Sequence, residues 1–155
     1  MKVIVAGSRQ VLDYTLVESA LSHATLIHKI QITEIVEGEA AGVDTLAKQW
    51  AIAHNVPFKP FKADWSNITV PGAVVLTSAW GKKYNAIAGH NRNQLMADYG
   101  ESLVAIWDSK STGTGDMVKR AIAKGLPVAV YLITEKFSRL AVNLDGSLFC
   151  VTKNL

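Results

Sequence analysis

Short apolar runs alternate along this chain with segments whose apolar residues recur every three or four positions. Val3-Ile4-Val5-Ala6 is a compact run ending at Gly7, the pattern of a strand buried on both faces. Leu16, Val17, Ala20, Leu21 and Ala24 follow at helical spacing, with Thr15 and Glu18 placed as a capping box. Residues 32–36 predict a second strand running into Gly38, and Val43, Leu46, Ala47, Trp50 and Ala51 mark one apolar face of the helix after it. A third short strand is expected over 58–61, beyond the turn-prone Asn55-Val56-Pro57. Between Trp65 and Gly89 no period emerges. Pro71, Gly72 and Gly81 leave a long loop or a broken helix there, with two helical turns expected over 73–80. Leu95, Met96 and Tyr99 predict a helix from about Asn91, residues 103–107 the most apolar strand, and Met117, Val118, Ala121 and Ile122 a further helix ended by Gly125. Residues 127–132 close the series as another buried strand.

Repeated strand–helix order predicts one α/β domain, a mostly parallel sheet with helices on both faces, because parallel neighbours need right-handed crossovers. The tail differs: residues 139–144 and 147–151 flank Asp145-Gly146, a strong signal for a two-residue hairpin. It is expected to add a C-terminal β-hairpin, antiparallel, at the sheet edge. The expected organisation is a main unit over residues 1–132 and the hairpin extension over 133–155.

Composition narrows the chemistry. With 155 residues, 49% hydrophobic and 19% charged, a disordered or low-complexity chain is excluded. No apolar run approaches the ~18–20 residues that span a bilayer, so no membrane partner is expected. The opening run reads as a strand rather than a signal peptide, giving a cytoplasmic expectation. Cys150 is the single cysteine, and His23, His28, His54 and His90 lack metal-ligand spacing, so neither a disulfide framework, a metal nor a cofactor is expected. The net charge is +3 and the cations cluster only in pairs, Lys82-Lys83 and Lys119-Arg120. A small anionic ligand fits this pattern at least as well as a polyanion; a nucleic-acid partner is disfavoured on charge yet stays open.

In open α/β sheets, ligands bind beyond the carboxyl ends of the strands, where strand order reverses. Those ends carry Gly7-Ser8-Arg9, the 38–44 segment with Gly38, Gly42 and Asp44, and the 108–114 segment with Asp108, Ser111, Thr112, Gly113 and Thr114. Glycine permits close backbone approach, a helix start offers unpaired N–H donors, and Arg9 and Arg92 are suited to bidentate phosphate binding. Each loop alone also reads as an ordinary turn or cap; their recurrence at equivalent strand ends points to a phosphate or nucleotide pocket. Neither G-x-x-x-x-G-K-[ST] nor G-x-G-x-x-G is present. Asp64-Trp65 and Trp107-Asp108 pair an aromatic with an acid near strand ends, the tryptophans as packing groups and the aspartates as candidates for ribose hydroxyls.

Gly7-Ser8-Arg9, Gly38-x-Ala40-x-Gly42-x-Asp44 with Leu46-Ala47 and Trp50-Ala51, Ala63-Asp64-Trp65, Ala88-Gly89-x-x-Arg92-Asn93-x-x-Met96, and Trp107-Asp108 with Ser111-x-Gly113-Thr114 occur in this order. Together they resemble the YspA-type, YpsA-related branch of the SLOG superfamily, which also includes the Lonely Guy phosphoribohydrolases and the DNA-processing Smf/DprA proteins. The resemblance covers roughly residues 1–132. It implies a Rossmann-like fold that binds a nucleotide or nucleotide-derived ligand, for sensing or for cleavage of an N-glycosidic bond, and a homo-oligomer.

By the same resemblance Arg92 matches the catalytic arginine of the Lonely Guy R-K-x-x-M segment, with Asn93 at the lysine position, while Gly113-Thr114 match the phosphate-binding Gly-Thr pair. The catalytic glutamate position falls on Met117, with Asp116 one residue early, about 100° around a helix. Polar residues stand where paired glycines precede Gly-Thr, and Glu39 where the branch has glycine. The implied ligand-binding set is Gly7, Ser8, Arg9, Gly38, Gly42, Asp44, Asp64, Arg92, Asn93, Asp108, Ser111, Thr112, Gly113 and Thr114, with Arg92 and Asp116 as candidate catalytic residues. Asp44, Asp64 and Asp108 are alternative carboxylates. Nucleotide binding is the expected function; N-glycosidic hydrolysis and a nucleic-acid-binding module are the alternatives.

Overall fold

The computed structural model describes residues 1–133, 138–142 and 148–152, the last two segments as backbone. In chain order the elements are β1 (Lys2–Gly7), α1 (Tyr14–Ile27), β2 (Glu34–Glu37), α2 (Val43–Ala53), β3 (Phe58–Pro60), β4 (Val75–Thr77), β5 (Lys83–Asn85), α3 (Ala88–Tyr99), β6 (Ser102–Trp107), α4 (Thr112–Ala123), β7 (Val128–Ile133), β8 (Ser138–Val142) and β9 (Leu148–Thr152). Seven of the described strands form one sheet in the order β3-β2-β1-β6-β7-β8-β9, and β4 and β5 form a second, two-stranded one. From β3 to β7 every pairing is parallel; β8 runs antiparallel to β7, and β9 to β8. The expected Rossmann-like architecture and the antiparallel strand pair at its edge are therefore present. The Asp145-Gly146 turn itself lies outside the described residues.

Period-two alternation within buried strands divides the core. Val3, Val5, Ile35, Val104 and Ile106 point to one face and pack with Val17, Leu21, Val43 and Ala47 of α1 and α2. Ile4, Ala6, Val36, Leu103 and Ala105 point to the other, against Met96 and Ala97 of α3 and Met117 and Ala121 of α4. Both faces being covered, the strands need no polar side, which explains their near-continuous apolar runs. Met117 is fully buried in the second layer.

Two local expectations change. The N-cap of α1 is Asp13, whose Oδ1 accepts from the Thr15 backbone N–H at 2.9 Å and the Thr15 hydroxyl at 2.6 Å. Thr15 thus lies inside the helix rather than capping it with Glu18, since a carboxylate accepts both donors at once. The 65–89 segment holds no helix at 73–80. Instead β4 and β5 pair antiparallel, Leu76 opposite Tyr84, around a tight turn in which Gly81 has φ 78° and donates to the Ser78 carbonyl at 2.9 Å. Buried Asn85 anchors this hairpin, its Oδ1 accepting from the N–H groups of Val74 and Ile87 at 3.3 and 3.2 Å.

From β1 the chain builds outward through β2 to β3 on one side, and β6 and β7 lie on the other. The reversal opens a crevice between the ends of β1 and β6. Gly7 ends β1 at its floor, where a Cβ would fall 2.5 Å from Val43 Cγ2 and closer still to the Ile106 carbonyl oxygen. Gly113, by contrast, has open space around it. Gly7→Ala is expected to cost about 1–3 kcal/mol by overpacking, whereas Gly113→Ala leaves stability unchanged or raises it by up to about 1 kcal/mol. Urea denaturation of both variants checks this, and equal losses would contradict the packing described.

Candidate functional site

The crevice is built backbone-first. The Ser8 N–H donates to the Ile106 carbonyl at 3.2 Å, and the Asp108 N–H donates to Ser8 Oγ at 3.3 Å, so the loops after β1 and β6 are joined directly. The loop after β2 packs against the same point: the Val43 N–H donates to the Ser8 carbonyl at 3.4 Å. At Gly42, with φ 77°, a Cβ would lie 2.4 Å from that Ser8 oxygen, so glycine satisfies both the left-handed backbone and the close approach.

Two consecutive residues of α3 tie these loops together. Arg92 Nη1 donates to the Gly38 carbonyl and, at 3.4 Å, to the Phe61 carbonyl, while its Nε donates to Asn93 Oδ1 at 3.2 Å. Buried Asn93 in turn donates from Nδ2 to the Gly113 carbonyl and to Asp116 Oδ2, both at 3.0 Å. Gly38 leaves room for this: a Cβ there would lie 2.7 Å from Arg92 Cζ and 2.9 Å from Asp44 Oδ2.

The start of α4 is prepared similarly. Asp108 Oδ1 accepts from the Lys110 and Ser111 N–H groups at 2.9 and 2.8 Å, and Trp107 Nε1 donates to the Ser111 carbonyl at 2.9 Å. Ser109 adopts the left-handed φ of 63° at the apex of this turn. Ser111 is the N-cap, its Oγ 3.1 Å from Thr114 Oγ1. Thr112 and Gly113 occupy the first turn, where helix N–H groups lack intrahelical acceptors. The Trp107 ring packs over Gly115, as a packing tryptophan should.

These pieces surround a cleft of about 610 Å³, walled by Ser8, Arg9, Trp65, His90 and the 110–113 turn. A pit of about 70 Å³ adjoins it, where Arg9, Asp44, Arg92, Asn93, Ser111 and Gly113 meet. Gly7 and Thr114 also line the pit, Thr112 and Asp108 the cleft. Gly38 and Gly42 line neither; Gly38 gives room to Arg92 and Asp44, and Gly42 to the Ser8 and Arg9 backbone. Asp64 also lines neither, accepting from Ser66 Oγ at 2.8 Å and bordering a neighbouring groove and a small hollow that reaches Arg92.

The electrostatics are uneven. Burial draws the Arg92 guanidinium below its ordinary value; Asp44 opposes this, and the nearby Arg9 adds to it. Burial pushes Asp44 from 3.8 to about 6, although the Ala40 and Gly38 N–H groups, at 3.3 and 3.0 Å, and Arg92 favour its charged form. Glu37, at the end of β2, is 1% exposed and raised by burial. Its Oε2 accepts from the Glu39 N–H at 2.6 Å, while Oε1 has no hydrogen-bond partner among the described residues. Glu39 itself, where the related branch has glycine, sits at φ 53°.

Asp116 is heavily engaged. His90 Nδ1 lies 2.9 Å from Oδ1, and Arg120 Nε, at 2.8 Å, and Asn93 share Oδ2. Desolvation raises its carboxyl, but Arg120, Asn93 and His90 outweigh that and hold it below the usual range. Sequence reasoning did not single out Glu37, whose burial comes from elements remote in sequence. Trp65, read as packing, lies on Gly89, where a Cβ would be 3.2 Å from its Cη2, and still exposes 40% of its surface to the cleft and the adjoining groove. Among the described residues no group of His, Cys, Asp and Glu is arranged to hold a metal, and no helix is long and apolar enough to cross a membrane.

Because the folded Asp44 binds its proton more tightly than the unfolded chain does, stability falls as pH rises from about 4 to 6 and then levels. The 3.8-to-6 shift corresponds to about 3 kcal/mol. Asp44→Asn, which keeps an acceptor for the Gly38 and Ala40 N–H groups, is expected to remove that component from urea-denaturation profiles at pH 4 and 6.5. Parallel profiles for both proteins would contradict the burial of an ionising Asp44.

Comparison with known proteins agrees with this architecture. Residues 1–67 match the model of the YspA, cpYpsA-related SLOG family, a segment running from β1 through Trp65. No curated protein matches the chain. The X-ray structure of DNA processing protein A (DprA) from Streptococcus pneumoniae superposes with a TM-score of 0.58 at 19% identity, over 83% of this chain and 49% of that one. The chain thus shares that protein's fold and spans about half its length. The likeness to the YspA-type, YpsA-related branch of the SLOG superfamily, first visible in the motifs, is matched by the family model over residues 1–67, while the superposition shows a shared fold.

Proposed function

We propose that this protein binds a nucleotide or nucleotide-derived ligand, as a sensor or a nucleotide-processing protein, with a phosphate in the pit at the β1/β6 crevice. The observation that carries this reading is the convergence of Arg9 and Arg92 with the first turn of α4 on one small concavity. Arg9 lies close enough to Arg92 to disfavour its charge, and such a pair gains most from an anion between its members. The helix start adds oriented N–H donors and positive potential, and Ser8, Ser111 and Thr114 add hydroxyls. The adjoining cleft of about 610 Å³ falls within the range of small-molecule sites, with room for a sugar and base.

Hydrolysis of an N-glycosidic bond is the second reading, favoured by Asp44. Its carboxyl lines the pit beside Arg92 and titrates near 6, in the range suited to proton transfer close to neutrality. Asp44 serves this role better than Asp116, whose oxygens are held by Asn93, His90 and Arg120. The family's glutamate position, Met117, is buried in the core and supplies no carboxylate. A nucleic-acid-binding role is suggested by the likeness to a DNA-processing protein but finds no dense basic stripe in the sequence.

Isothermal calorimetry with AMP and ADP-ribose tests binding. Arg9→Ala, an exposed position, is expected to weaken affinity about 10- to 100-fold, the loss of a charge-assisted contact. No binding by either ligand, or affinity indifferent to Arg9 and Arg92, would overturn the reading. Prolonged incubation with AMP separates the two readings: free adenine, abolished by Asp44→Asn, means hydrolysis, and intact AMP means binding alone.

A further inference from the structure

Beside the crevice, and apart from the phosphate pit, lies a groove of about 690 Å³ between the 62–66 segment and the β4–β5 hairpin. Lys62, Lys82 and Lys83 line it together with the rings of Trp65 and Tyr84; Asp64, held by the Ser66 hydroxyl, is the acid facing it. Three ammonium groups against one carboxylate leave it cationic, and two aromatic side chains give it flat apolar walls. That combination suits a ligand part that is planar, aromatic and anionic.

The groove is continuous with the proposed site in two ways. Trp65 lines both it and the 610 Å³ cleft. Lys62 and Asp64 also border a hollow of about 170 Å³ that reaches Arg92. The groove is also built rather than incidental. Trp65 is seated on Gly89, its carbonyl accepts from the Asn85 N–H at 2.8 Å, and Asn85 fixes the base of the hairpin that carries Lys82, Lys83 and Tyr84.

We propose that this groove is a second-base subsite. It takes the distal base and part of the phosphate bridge of an extended ligand made of two nucleotide halves, whose first phosphate occupies the pit between Arg9 and Arg92. The proposal deepens the nucleotide-binding reading and rests on it. A ligand with one base fills the crevice alone; one with two bases joined through phosphates engages Trp65 and the lysines as well.

Calorimetry with AMP, ADP-ribose and diadenosine diphosphate tests it, since ADP-ribose has the diphosphate without the second base. Diadenosine diphosphate is expected to bind at least about tenfold more tightly than ADP-ribose, the gain typical of one stacked base. Tyr84→Ala is expected to erase that advantage, and the exposed pair Lys82→Ala/Lys83→Ala to weaken both diphosphates while leaving AMP affinity within about twofold. Equal affinities for the two diphosphates, or a double variant that weakens AMP equally, would overturn the subsite but leave the phosphate pit standing. If neither AMP nor the two-base ligand binds, both readings fall. A decathymidylate that binds more tightly than the two-base ligand, and loses affinity in the double variant, would assign the groove to single-stranded nucleic acid and overturn the proposal.

Discussion

The site depends on two adjacent side chains in the second turn of one helix. Arg92 reaches the Gly38 carbonyl on the β2 side of the sheet, and Asn93 reaches the Gly113 carbonyl on the β6 side. Loops from the two halves, which the topology sends in opposite directions, are thereby held at fixed separation across the crevice. The glycines follow from this constraint: Gly38 makes room for the guanidinium, Gly42 for the Ser8 backbone, and Gly7 for the Ile106 carbonyl. A guanidinium spent on main-chain carbonyls still keeps its charge, and it keeps it at the wall of the pit.

Charge balance around Arg92 is the second consequence. Glu37 and Asp44 both act on it, and burial raises both carboxyls. Two carboxylates and one buried guanidinium leave a negative excess unless a proton stays on one acid, which ties the pit's charge to pH near 6. Arg9 supplies the compensating positive charge from the exposed side. On the proposed reading, an anion is held more tightly once Asp44 has taken up its proton.

Much of this was legible in the sequence, for physical reasons that differ by element. Strands buried on both faces announce themselves as continuous apolar runs, and α2 shows its face through Val43, Leu46, Ala47 and Trp50. The strand-end loops were legible because glycine and hydroxyl residues recur there. The β4–β5 hairpin was not, because three-residue strands are too short to show alternation and Val75 and Leu76 are exposed. Asp116's link to Arg120 follows i,i+4 spacing, but its links to His90 and Asn93 come from another helix. Glu37 was invisible for the same reason: only the fold brings it to Asp44 and Arg92.

The most direct test of convergence is an amide chemical-shift titration with inorganic phosphate, followed residue by residue. Shifts concentrated at Ser8, Arg9, Gly113 and Thr114, saturating with one common affinity, are the predicted result. Shifts spread over unrelated surfaces, or separate affinities for the loops after β1 and β6, would contradict a single anion held between the two halves of the sheet.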